Sequence, residues 1–135
     1  MTELDQVIAA AYTSQGKIED VNKVYLTLLR ATLFLPVKKG KPIDSEEAFS
    51  PLYAHIDEKY FMLVFDTIAR LTEWAGDQFS EIDYVELSGK DLVAGINNEV
   101  FLILNLGAEI YKEFSPDEIK HLKKIVARID QLKEP

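Results

Sequence analysis

The sequence contains no cysteine. That excludes disulfides, thiolate nucleophiles and zinc–thiolate sites. Histidine is nearly as scarce: His55 and His121 are the two imidazoles, and neither has a second ligand at metal-binding spacing such as H-x-x-x-H. Basic residues are in the minority, with 15 Lys plus Arg against 23 Asp plus Glu and a net charge of −8. Binding to nucleic-acid phosphates or to an anionic membrane needs clustered Lys and Arg, so neither is expected. No apolar run approaches the roughly 18 residues of a membrane span, and the opening "MTELDQVIAAAY" carries acids where a signal peptide carries Lys or Arg. A cytoplasmic setting follows as the expectation. The nucleophile elbow G-x-S-x-G, the phosphate loop G-x-x-x-x-G-K-[ST] and the dinucleotide fingerprint G-x-G-x-x-G are also missing. "SGKD" at 88 to 91 has a Gly-Lys pair without the preceding Gly or the following hydroxyl residue. No catalytic set, metal or cofactor is therefore expected.

What is present fits one domain of 135 residues, with 47% apolar and 28% charged residues and no compositionally disordered stretch. Acids concentrate around Asp44 to Glu58 and Glu73 to Asp91, and pairs such as Glu46-Glu47 and Asp57-Glu58 read as solvated loop residues. Leu4, Val7, Ile8 and Ala11 recur at helical spacing with Thr2 as N-cap, and a second helix over Ile18 to Ala31 gathers Val21, Val24, Tyr25, Leu28 and Leu29 on one face. The two make a helical hairpin. "TLFLPV" then reads as a strand running into a loop, "PLYAHI" as a half-buried strand with Tyr53 and His55 on its outer face, and "YFMLVF" as a central strand paired antiparallel with it. The helix "TIARLTEWAGDQF" follows, with Ile68, Leu71, Thr72 and Ala75 facing inward and Trp74 at the core edge. Next come the strand "DYVELS", the short helix "GKDLVAGI", the strand "EVFLILN" and the loop "LGAEIYKEF". "SPDEIKHLKKIVARIDQL" opens with a capping box of Ser115 and Glu118 around Pro116. Its cations Lys120, Lys123, Lys124 and Arg128 read as a solvated face.

The expected fold is α/β (α+β): a mixed sheet of about five strands, with the N-terminal helical hairpin and the C-terminal helix packed on it. The third, fourth and fifth strands are each joined through a helix and are expected to be parallel, with the hairpin adding an antiparallel edge. Parallel strands share a C-terminal edge, where ligands of open α/β sheets bind. There the strands end at Asp66, Ser88 and Asn105, with Gly89 and Gly107 beside two of them. These residues could line a polar rim for an anion or a peptide carboxylate. Helix caps and turns explain the same residue types, and Asp66 is expected to cap the backbone N–H near Ala69. His55 beside Tyr53 is the better functional candidate of the two histidines.

With those elements in place, the chain resembles the N-terminal domain of the SseB (enhanced serine sensitivity) family. The matching motifs are "VYLTLLRATLFLPV", "LVFDTIARLTEW", "VELSGKDLVAGI" and "ILNLGAEIYKEFSPDEIKHL", in that order over about residues 24 to 122. Members often carry Thr or Ser where this chain has Asp66, and Pro where it has Leu106. Longer members continue into a second domain, and this chain reads as a single SseB-like domain. The resemblance implies a bacterial cytoplasmic protein of uncertain role with no established enzymatic activity. The leading expectation is a non-enzymatic module that binds a protein or peptide, at the rim or through the Tyr53 and His55 face. A small-ligand or anion sensor, or a weak enzyme, using Asp66, Ser88 and Asn105 on the rim beside Gly107 is the alternative, as is an acidic inhibitor of the immunity-protein kind. Oligomeric state stays open.

Overall fold

The computed structural model describes residues 2–39 and 51–133. The acidic pair Glu46-Glu47 and the stretch that opens the first acidic region at Asp44 lie outside the described residues. The elements run α1 (Glu3–Thr13), α2 (Ile18–Arg30), β1 (Thr32–Lys38), β2 (Tyr53–Ile56), β3 (Lys59–Val64), α3 (Ile68–Ala75), a 3₁₀ segment (Gly76–Glu81), β4 (Ile82–Ser88), α4 (Gly89–Gly95), β5 (Phe101–Leu104), β6 (Lys112–Phe114) and α5 (Pro116–Lys133).

The α+β class holds, but the strands divide differently from the expected single sheet. Four form a mixed sheet in the order β2-β3-β5-β6, and β1 pairs with β4 in a separate antiparallel ladder. The two ladders touch where Phe34 and Phe65 exchange backbone hydrogen bonds of 2.7 and 3.0 Å, and where the Leu52 N–H donates to the Pro36 carbonyl at 3.0 Å. Both β4 and the end of β3 run antiparallel to β1, and β5 is parallel to β3. The third, fourth and fifth expected strands therefore do point the same way. They are not neighbours throughout, because β1 lies between β4 and β3. β1 suits an interior place: Leu33, Leu35 and Val37 are buried on one face, and Phe34 packs on the other.

Period-two alternation assigns the two cores. Met62 and Val64 of β3 and Leu102 and Leu104 of β5 face the larger cluster, with Leu4 and Ile8 of α1, Leu28 of α2, Val93 of α4, and Ile119 and Leu122 of α5. Phe61, Leu63, Phe65 and Ile103 face the other way, onto Leu71 of α3, with Phe34, Trp74 and Phe79 at the margin. Four helices thus cover one face and α3 the other. In α3 the buried residues are Leu71 and Ala75. Ile68 and Thr72, expected to face inward, are exposed. The stripe is rotated toward Trp74, whose ring lies 5.5 Å from Phe65.

Local chemistry sets the junctions. Asp57 and Glu58 both take positive φ, at 51° and 66°, as a two-residue hairpin of the type I′ kind requires, and this closes β2 onto β3. Gly89 starts α4 against α2, where a Cβ would stand 1.8 Å from the Leu28 carbonyl oxygen, so only glycine fits. β6 falls inside the segment expected to be loop. At three residues, Lys-Glu-Phe, it is too short to show alternation, and its pairing with β5 is what makes it a strand.

Candidate functional site

The shared edge of β3, β4 and β5 brings Asp66 and Asn105 together and leaves Ser88 apart. A pocket of about 240 Å³ opens there, lined by Thr2, Thr27, Arg30, Thr32 and Asp66 with the first turn of α1. Neither Ser88 nor Asn105 lines it.

Asp66 is not the cap of α3. Thr67 takes that role, its hydroxyl accepting from the Arg70 N–H at 3.1 Å. A residue at N′ cannot reach the first-turn donors once the next residue caps them, so the Asp66 carboxylate turns elsewhere. One oxygen accepts from Arg70 Nη1 at 2.8 Å and the other from the Thr2 hydroxyl at 2.6 Å. Arg70 also grips Asp5 of α1, at 2.9 Å from Nη1 and 2.5 Å from Nη2. The two carboxylates are almost wholly enclosed, with side chains 1% exposed for Asp5 and 4% for Asp66. Desolvation pushes the Asp5 carboxyl up, but the guanidinium and the Thr2 N–H and hydroxyl outweigh it and hold Asp5 below its usual range. The same hydrogen bonds hold the Arg70 guanidinium charged.

This cluster, absent from the sequence reading, clamps the start of α1 to the β3–α3 junction. Two local signals for it were present: Arg70 stands at i+4 from Asp66, and Asp5 completes a capping box with Thr2.

Ser88 caps α4, accepting from the Asp91 N–H at 3.1 Å. Asn105 is fully buried with φ at 63°, a left-handed conformation that asparagine tolerates better than most residues. Its Oδ1 accepts from the Asp66 N–H at 3.1 Å, and its carbonyl closes a turn onto Ala108. Its Nδ2 is buried without a partner among the described residues. Gly107 follows with φ at 92° in the same turn.

Tyr53 and His55 lie elsewhere, on the exposed face of β2, as its alternation indicated. His55 stacks on the cross-strand Tyr60, rings 4.4 Å apart and nearly parallel, while Tyr53 is 49% and Tyr60 64% exposed. Tyr53 also borders a largely apolar groove of about 300 Å³ between the two ladders, with Leu35, Met62, Leu87 and Leu92. His121 is at α5, edge-on to Tyr25 at 5.3 Å. The Tyr25 hydroxyl donates to Glu118 at 2.8 Å, and burial followed by that bond raises its ionisation above the ordinary tyrosine value.

A family model described as the SseB protein N-terminal domain matches residues 4–121. The chain belongs to that family. No curated protein and no solved structure matches it. In this SseB domain Asp5, Asp66, Arg70 and Asn105 fall within the matched span, and Thr2 precedes it. Among the described residues no three His, Asp or Glu side chains are grouped to hold a metal, and no helix is long and apolar enough to cross a membrane.

Proposed function

We propose that this SseB domain is a non-enzymatic bacterial protein-interaction module that takes a protein or peptide on the outer face of the β2–β3 hairpin. The observation that carries the reading is the contrast between the two groups of candidate residues. Asp66, Ser88 and the acceptor of Asn105 are committed to an ion pair, a helix cap and a backbone N–H. Tyr53, His55 and Tyr60 present amphipathic rings to solvent. Tyrosine in particular supplies large contact area at low entropy cost. A charged-ligand site at the rim gains little from Asp66, whose two oxygens are already taken by Arg70 and the Thr2 hydroxyl. The composition, without cysteine and with excess acid, supports a cytoplasmic setting for this role.

The test is affinity capture from a bacterial lysate with wild type and a Tyr53→Ala, His55→Ala variant, followed by titration of each captured protein. Both side chains are exposed, so the variant keeps the wild-type melting temperature. At least one partner is expected to lose about tenfold or more in affinity, equivalent to roughly 1.4 kcal/mol. An identical partner set with unchanged affinities would refute the hairpin face.

A further inference from the structure

Among the described residues, the outer edges of β2, β4 and β6 are the open ends of the two ladders. β2 has four residues and β6 three, whereas β4 has seven. An edge strand is normally blunted by shortness, Pro, a bulge, a covering element or charged side chains, Lys above all. β4 is neither short nor broken: Ile82–Ser88 contains no Pro, Gly or Lys, and its register with β1 is unbroken from Thr32↔Ser88 to Lys38↔Ile82. Its protection is charge of one sign, which repels an acidic strand and admits a basic one. What it carries is acid. Asp83 and Glu86 are exposed, Glu81 precedes them, and the strand itself has no cation. Lys38 lies opposite Ile82 and Lys39 donates to the Ser80 carbonyl, and among the described residues neither is ion-paired to Asp83 or Glu86.

We infer that β4 is a docking edge for an extended basic segment of another protein, added as a further strand. Backbone groups on alternate β4 residues point outward and supply the ladder. The side chains select the occupant. Asp83 and Glu86 are three apart and so stand on opposite faces of the strand, which calls for two Lys or Arg three positions apart in the incoming segment. Tyr84, 41% exposed and edge-on to Phe34 at 6.0 Å, offers an apolar contact for a residue between them. A second copy of this chain is the wrong occupant, because pairing two β4 strands puts four carboxylates into one ladder without a cation. The site is separate from the β2 face.

The experiment titrates the folded, isotope-labelled protein with a short Val/Thr peptide carrying two lysines three positions apart. The controls are the same peptide with glutamates, and one with the lysines adjacent. Expected results are binding about tenfold tighter for the spaced-lysine peptide than for either control, weakening with salt, and slowed hydrogen exchange at alternate β4 amides. Asp83→Lys with Glu86→Lys, both on the surface, is expected to reverse the preference toward the glutamate peptide. Equal binding of the three peptides, no binding, or shifts spread over acidic surface without β4 protection would overturn the inference. Protection confined to residues 53–56 would also overturn it, while leaving the β2 reading standing.

Discussion

Replacing Arg70 by Met removes the cation between two enclosed carboxylates while keeping much of the side chain's apolar volume. Breaking a buried pair by deleting one partner costs about 3–5 kcal/mol, chiefly because the remaining charge is stranded. The Arg70 side chain is 23% exposed, so water reaches part of the site and the lower figure of about 3 kcal/mol applies. For a domain of this size that corresponds to roughly 10 °C in Tm. Urea unfolding followed by fluorescence of Trp74, the single tryptophan, measures it directly. The pH dependence adds a second readout. Wild-type Asp5 has its folded pKa below the ordinary 3.8, so its contribution is complete above about pH 4 and disappears as pH falls through the folded value. Without Arg70 desolvation, the largest influence, is opposed only by the Thr2 N–H and hydroxyl, so Asp5 moves upward. The variant therefore loses the stability that ionised Asp5 gives the wild type, and its deficit shrinks as pH is lowered through the carboxylate range. A triple variant with Asp5→Asn, Asp66→Asn and Arg70→Met is expected to recover more than half of the loss, since no charge is left stranded. A loss under about 1 kcal/mol, or a deficit that is constant with pH, would refute this account of the cluster.

The remaining predictions concern single positions. Gly89→Ala drives a Cβ into the Leu28 carbonyl and is expected to cost about 3 kcal/mol or prevent folding, as read by thermal melting. Asn105→Ala loses both the left-handed tolerance and the bond to the Asp66 N–H, for about 2–3 kcal/mol, whereas Asn105→Gly keeps the conformation and costs about half of that. Tyr25 ionises above its ordinary 10.0, so its share of stability is full below about pH 10 and falls as pH rises further. Tyr25→Phe is expected to flatten that alkaline decline and to cost about 1 kcal/mol at neutral pH, by urea unfolding. Ser88→Ala and Thr67→Ala each delete a helix cap worth about 1 kcal/mol, by the same assay.

How far the fold could be read in advance depended on whether a feature is written in neighbouring residues. The capping box of α5 has both its hydrogen bonds, between Ser115 and Glu118. Ser88 caps the helix it precedes, and the alternation of "PLYAHI" gave the exposed face of β2. These are local signals. The place of β1 was not legible, because a strand's own residues report that it is buried on both faces but not which strands flank it. Asp66 was misassigned for a related reason. A cap was the sound local expectation, and Thr67 one residue on satisfied it first. The carboxylate then found partners in Arg70, within the same helix, and Thr2, from the far end of the chain.

The insertion of β1 between β4 and β3 also governs the order in which the chain can fold. Thr32–Lys38 finds its ladder only in Ile82–Ser88, roughly fifty residues downstream, and such non-local pairing places folding toward the millisecond-to-second end of the scale. The helical hairpin leaves the ribosome ahead of the rest of the domain, yet it has neither a sheet to cover nor, until Arg70 emerges, the cation that Asp5 closes on. Among the described residues only β2–β3 and, later in the chain, β5–β6 are strand pairs formed from adjacent sequence. The nascent domain must therefore hold the apolar faces of α2 and β1 uncovered until more than half of it has been made.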